Sequence, residues 1–541
     1  MADQPAEPSK AEAEEPAATF VVEEKRRLSE SLIWRLQRQY FEGQGEQAWS
    51  SGQVPFHITS NTFITKSYAR ALLGFLRDCA SPTAPLGALD PGQPIYIVEL
   101  AAGSGQFAYF FLRKLLPLLA ALPALRALKL RYVMTDFTSS NLDAWKAQPL
   151  FQPFLEQGVL DYALFDIERD TSIRTVSGDL LEPGSVKNPI CVLANYTFDS
   201  TVQDAFWVND GELQEGLATL LAKTEKEDLT GADALSRVTL KYEQRRVRGE
   251  YYGDPDLDAI LDYYRQRLGD TSFLMPLGAL RAIRSLQALA GGRLFLLTGD
   301  KGFLDQDDME CREVPHRDLH GSFSMMVNFH ALGLYFQQKG GLTLQTSSRT
   351  GLLKFCAFVS GAAPEAFPET ALAFKEAVEQ FSPSDYFGLL LALRDALPKP
   401  PLDVLLPLLR LSDWDLQIVL YFAGAMVEHA GSAQDPLRLD LRRALEQVAE
   451  NTYHMGRDVS FELGRIYSGL SMPKLALDNY LESLRLFGEH HATLFNIGLC
   501  HYRLQQPQEA LTWIERSLAK KPDFGSAREW RNRILGEKGK R

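Results

Sequence analysis

Cysteine is scarce in this chain: five residues in 541, at Cys79, Cys191, Cys311, Cys356 and Cys500, with no C-x-x-C spacing among them. A scattered, odd-numbered set excludes a disulfide framework and a cysteine-built zinc site, and it fits a reducing compartment, the cytoplasm. Long apolar runs are lacking too. The longest, Leu115 to Leu125, is broken by Pro117 and Pro123 and flanked by Arg113, Lys114 and Arg126, so no membrane span is expected. Positive charge is in deficit, with 57 Lys and Arg against 69 Asp and Glu. The resulting net charge of −12 repels phosphate backbones and anionic lipid, so neither nucleic acid nor a membrane is an expected partner. The interleaved arginines and tyrosines of EQRRVRGEYYGD read as a solvated helix face.

What remains is an ordinary globular composition, 45% hydrophobic and 23% charged, over a length that exceeds one hydrophobic core. Residues 1–24 carry seven acids against Lys10 and no apolar core, which reads as a disordered acidic tail rather than a targeting signal. Residues 25–90 read as a helical and extended lid segment. From 91 to 370 strands and helices alternate, with strands expected at 95–100, 131–137, 160–167 and 190–198, a helix at 139–157 and a charged insertion over 217–270. The Pro-rich ALPKPPLDVLLPL opens into helices, giving a helical connector over 371–450. Residues 451–535 repeat with a period of 34: Gly464 aligns with Gly498, Ala476 with Ala510, Tyr480 with Ile514 and Ser483 with Ser517. That is tetratricopeptide spacing, a pattern that binds protein or peptide segments, and the helices from about Leu402 to Ala449 are expected to stack on the pair as a cap.

The segment VELAAGSGQF places an acid, small residues and two glycines at the carboxyl end of a strand, where open parallel sheets bind ligands. GSGQFA also satisfies G-x-G-x-x-A, so a dinucleotide is an alternative ligand. That motif wants an acid about 20 residues on, whereas Asp136 lies 33 residues after Gly103.

The arrangement of acids on successive strand ends resembles class I methyltransferases, which use S-adenosylmethionine. The resemblance implies a Rossmann-like α/β sheet followed by the all-α tetratricopeptide domain. It implies that Glu99, Ala101, Gly103 and Gly105 hold the methionine portion of S-adenosylmethionine, that Asp136 takes the ribose hydroxyls, and that Asp166 faces the adenine amine, with Asp179 a competitor for that role. LANYTFDSTVQDAFW is similar to the fourth-strand pattern of the MidA-like branch, in which Asn195 and Asp199 match and Tyr196 stands where the family has Glu. GQVPFHITSN and SFSMMVNF match more loosely. Asn195 and Tyr196 are therefore expected to orient the methyl acceptor, and Asp199 to support them or accept a proton. His57, Asp300 and His320 are candidates for the rim. His316 and His320, four apart without a third ligand, give no metal site. The expected function is methyl transfer to a protein or peptide acceptor. The alternative is a scaffold with this fold that has lost catalysis.

Overall fold

The computed structural model describes residues 20–45, 57–224, 227–231, 233–315, 317–347, 351, 353–453 and 456–538. Its central sheet has seven strands: β1 (Ile95–Leu100), β2 (Leu130–Asp136), β3 (Leu160–Leu164), β4 (Ile190–Asn195), β5 (Leu294–Asp300), β6 (Leu342–Gln345) and β7 (Lys354–Ser360). Their spatial order is β6-β7-β5-β4-β1-β2-β3. The five strands from β3 to β5 pair in parallel, and β7 runs antiparallel to both of its neighbours. Five carboxyl ends thus fall along one edge. The segments IYIVEL, LFLLTGD and KFCAFVS are buried at every residue, as strands covered on both faces require.

Successive side chains sort onto the two faces of the sheet. Ile97, Tyr132, Cys191 and Phe295 share one apolar cluster with residues of the helices Thr62–Cys79 and Gln106–Ala121. Val98, Val133, Val192 and Leu296 share another with residues of the helices Pro255–Arg267, Leu277–Leu289 and Phe329–Gln338.

Strands β2, β3 and β4 stop one to three residues before their predicted ends, at Asp136, Leu164 and Asn195. The overshoot has a physical source: Phe137, Phe165, Ile167 and Phe198 are apolar residues in the turns, where apolar character imitates a continuing strand. The helix predicted over 139–157 divides into Ser139–Ala147 and Gln152–Glu156, with Pro149 starting a short 3-10 turn between them.

A second, antiparallel sheet corrects the reading of a charged insertion. Its strands are Phe20–Arg27, Glu212–Ala222, Asp204–Asn209, Thr271–Met275 and Val238–Arg246. Phe20–Arg27 takes the last residues of the expected tail, and positions 1–19 lie outside the described residues. Val238–Arg246, whose last four residues open the stretch read as a helix face, pairs with Glu212–Ala222, and its outward charges suit an edge strand that must not recruit another. Helix Leu32–Gln44 and the hairpin Arg317–His320/Ser322–Met325 pack with this sheet through Leu28, Leu36, Trp207, Leu220, Phe323 and Met325.

Beyond Pro368 the described residues form helices without strands. One apolar cluster runs from Tyr386 through Leu405, Phe422, Leu445 and Ile466 to Ile497, so the connector helices and the two helix pairs share a core. The pairs are Val459–Gly469 with Pro473–Phe487, and His491–Arg503 with Pro507–Lys520. Equivalent positions make equivalent contacts. A Cβ on Gly464 would lie 2.7 Å from Tyr480, and one on Gly498 would lie 2.7 Å from Ile514. Replacing Gly498 by valine should therefore overpack the second pair and cost about 1–3 kcal/mol, read as a lowered thermal midpoint. Gly431→Ala, with open space around it, serves as the neutral control.

Candidate functional site

Between the carboxyl edge of the central sheet and the helix and hairpin that pack on the second sheet lies a cavity of about 200 Å³. Its floor starts with the loop after β1, where Ala101, Gly103 and Gly105 adopt left-handed φ of 49°, 52° and 78°. The loop is pinned at its backbone. The Ala102 N–H donates to Thr135 O at 2.9 Å, the Trp145 indole to Gly103 O at 2.7 Å and the Tyr453 hydroxyl to Ser104 O at 2.7 Å. Ala101 and Gly103 line the cavity. Gly105 does not: it precedes helix Gln106–Ala121, and a Cβ there would strike Met134 and Phe151. Glycine is needed at 105 for packing.

Glu99 and Asp136 end β1 and β2 side by side and both are buried. Burial pushes the Glu99 carboxyl up to about 8, the Tyr132 hydroxyl at 2.9 Å opposes this, and the neighbouring Asp136 adds to it. Asp136 accepts the Thr138 N–H at 2.9 Å, the Thr138 hydroxyl at 2.8 Å and the Asn141 amide at 2.9 Å. Burial raises its pKa against these donors. Asp136 thus holds the start of helix Ser139–Ala147 while still reaching the cavity wall. Asp166, after β3, lines the same cavity. Its competitor Asp179 lies away from the cavity, against Tyr96 and Arg131 near the amino ends of β1 and β2.

The fourth strand end brings Asn195, Tyr196 and Asp199 to this cavity as well. Asn195 Oδ1 accepts the Tyr68 hydroxyl at 2.7 Å, which fixes the amide. Tyr196 is left-handed at φ 49°, with its N–H on Gly299 O at 3.0 Å, and burial raises its phenol. Asp300, at the end of β5, lies beneath the turn. Its Oδ2 accepts the N–H groups of Thr197, Phe198 and Asp199 at 3.0–3.2 Å. Burial pushes Asp199 up to about 6, partly offset by the Ser200 hydroxyl and by a hydrogen bond with Asp300. Burial and the charge of Asp199 together raise Asp300 well above the ordinary carboxylate range. His57 is not on the rim; it pairs with Asp415 at 3.1 Å. His316 and the side chain of His320 lie outside the described residues.

The roof comes from distant segments. Trp34, Gln37, Arg38 and Phe41 of helix Leu32–Gln44 line the cavity together with Phe323. Arg38 reaches across to Asp166 at 2.6 Å and lies 4.5 Å over the Phe137 ring. Gln37 donates to Phe323 O at 2.9 Å. The sequence marked this stretch as a lid through its helical spacing, but nothing in it singled out Arg38, Glu168 or Lys301, whose positions depend on pairing across the two sheets.

The sequence matches no protein-family model and no curated protein. Among solved structures the chain is similar to an uncharacterized COG1565 superfamily protein from Burkholderia thailandensis, at 14% identity over 64% of this chain and 90% of that one, TM-score 0.39. It is also similar to a COG1565 superfamily member from the same organism bound to S-adenosyl-homocysteine, at 12% identity over 64% and 91%, TM-score 0.39. The methyltransferase (CMeT) domain of the citrinin polyketide synthase follows at 13% identity over 51% and 48%, TM-score 0.24. Likeness at this level assigns no role to any residue here.

Glu99 gives the site a measurable signature. Its folded-state pKa of about 8 lies above the ordinary 4.5, so the native protein holds an extra proton and loses stability as pH rises between those values. Glu99→Gln removes that dependence. It should raise the thermal midpoint relative to wild type at pH 8 and change it little near pH 4.5, and a uniform effect across that range would contradict the assignment.

Proposed function

We propose that this protein is an S-adenosylmethionine-dependent methyltransferase that works in the cytoplasm on a protein or peptide acceptor. One observation carries the reading: Glu99, Asp136 and Asp166, at or just after the carboxyl ends of three neighbouring parallel strands, line a single cavity beside a left-handed, small-residue loop. Such a set of acceptors fits the cofactor's cationic amine, its ribose hydroxyls and its adenine amine, in that order. Phe137 and Phe165 supply apolar faces on the same wall. The cofactor, when bound, supplies a methyl group on a cationic sulfonium.

The chain's own part is positioning and the exclusion of water. Asn195, held by Tyr68, and Tyr196 orient the acceptor. Asp199, with a pKa near 6, is ionised at neutral pH and is placed to take the proton that an N–H or O–H acceptor loses. The roof of Trp34, Phe41 and Phe323 keeps the cavity dry. The two C-terminal helix pairs read as tetratricopeptide units, which dock extended segments and would raise the acceptor's local concentration.

A second reading, a scaffold without catalysis, is favoured by one contact: Arg38 already occupies Asp166 and stacks on Phe137, where adenine would lie. Titration calorimetry with S-adenosylmethionine, and with NAD(H) as the competing ligand, decides the first point, and Asp136→Ala should weaken binding by about tenfold or more. Binding of NAD(H) alone would sink the proposal. Incubation with methyl-labelled cofactor and a lysate decides the second: label transfer lost in Asp136→Ala supports the enzyme, and no label in any fraction supports the scaffold. Because Glu99 starts protonated, seating a cationic amine beside it should release a proton. The calorimetric heat should then vary with the ionisation enthalpy of the buffer, and affinity should rise as pH approaches 8.

A further inference from the structure

The loop Ala101–Gly105 is held from two sides by buried aromatic donors. One, Trp145, belongs to the α/β unit. The other, Tyr453, comes from the far end of the chain, 349 residues from Ser104, in the link between helix Asp435–Glu450 and the first C-terminal helix pair. Tyr453 is 5% exposed. Its ring sits within the α/β core, 5.6 Å from Tyr109, 6.3 Å from Phe151 and 6.4 Å from Phe110. Its hydroxyl donates to Ser104 O at 2.7 Å, and Ser104 lines the cavity.

This contact has company. Asn451 donates to Asp413 O at 2.9 Å, Lys114 pairs with Asp413, and Lys66 lies 3.7 Å from the same carboxylate. Thr62 donates to Ser412 O at 2.7 Å, and Tyr386 and His57 both bond Asp415 at 3.1 Å. Asp413 and Trp414 take left-handed φ of 59° and 66°, so the turn between the helices Leu402–Leu411 and Leu416–Ala430 is held in a conformation that non-glycine residues rarely adopt. The helical region is therefore fastened to the helices Thr62–Cys79 and Gln106–Ala121, and the second of these begins where the loop ends.

We propose that Tyr453 is a positioning residue for the cofactor loop, so that the C-terminal helical region completes the cofactor site and is more than a module for partners. The inference rests on the reading of the cavity as an S-adenosylmethionine site. Without the Tyr453 hydroxyl, the Ser104 carbonyl loses its buried donor, and a loop with three left-handed residues loses one of its two aromatic pins. Truncation after residue 449 would remove Tyr453 together with part of the shared helical core, so loss of cofactor binding in a truncated chain would not report on recruitment.

The test uses the full chain and the variant Tyr453→Phe, which keeps the ring and removes the hydroxyl. S-adenosyl-homocysteine is the calorimetric probe, and hydrogen exchange is followed over residues 101–106. The expected result is affinity weaker by about five- to tenfold, faster exchange confined to the loop, and a thermal midpoint within about a degree or two of wild type. Tyr453→Leu should lower the midpoint as well, because it removes the ring. Wild-type affinity together with wild-type loop exchange in Tyr453→Phe would overturn the inference. Failure of the wild-type protein to bind the probe would overturn the cofactor reading instead, and loop exchange in Tyr453→Phe would then decide the positioning role alone.

Discussion

Carboxyl groups taken out of water govern the architecture around the cavity. Glu99, Asp136, Asp199 and Asp300 are each no more than 6% exposed, and a buried carboxylate without partners costs several kcal/mol. Every one is answered by fixed donors: Tyr132 for Glu99, Thr138 and Asn141 for Asp136, Ser200 for Asp199, and three successive N–H groups for Asp300. Tyr132 sits within β2 and Asn141 in helix Ser139–Ala147, and the other donors sit in the turns that follow strand ends. The turns can therefore take few shapes, and the acids and the backbone that holds them form one rigid surface.

That rigidity bears on two cavity-lining, non-glycine residues at φ 49°, Ala101 and Tyr196. A left-handed conformation at such residues costs roughly 1–2 kcal/mol each. They follow the ends of β1 and β4, which are neighbours in the sheet, and both line the cavity. In each turn the strain is held by a backbone hydrogen bond to an adjoining strand, Ala102 to Thr135 and Tyr196 to Gly299. Strain kept at matching positions on both sides of one cavity marks a surface shaped for a ligand rather than for stability.

The parts of this design that the sequence displays are those governed by near neighbours or by exact spacing. β1 was legible because IYIVEL is buried on both faces, and the acid within it drew attention to the strand end. The helix pairs were legible because close approach at Gly464 and Gly498 demands a small residue at a fixed interval. The second sheet was hidden for the opposite reason. Val238–Arg246 alternates only at Val238, Leu240 and Tyr242 before an exposed, charged second half, and Phe20–Arg27 pairs with Glu212–Ala222 from nearly two hundred residues away. Asp166 could be proposed from its place after a strand, but its pairing with Arg38 spans 128 residues and leaves no trace in local pattern.

The roof and the loop pins extend this dependence on distant pairing to the whole chain. The cavity takes its floor from residues 99–104 and 136–138, one wall from 195–201, its roof from 34–41 and 322–324, and a pin from Tyr453. No contiguous stretch contains the set. Contacts between segments so far apart in sequence form only after their loops have closed, which places assembly of the site late relative to the local helices of the C-terminal region. A helical region that folds through local contacts can then present Tyr453 to the α/β unit as it closes. The loop that lines the cavity is thus held by hydrogen bonds from both halves of the chain.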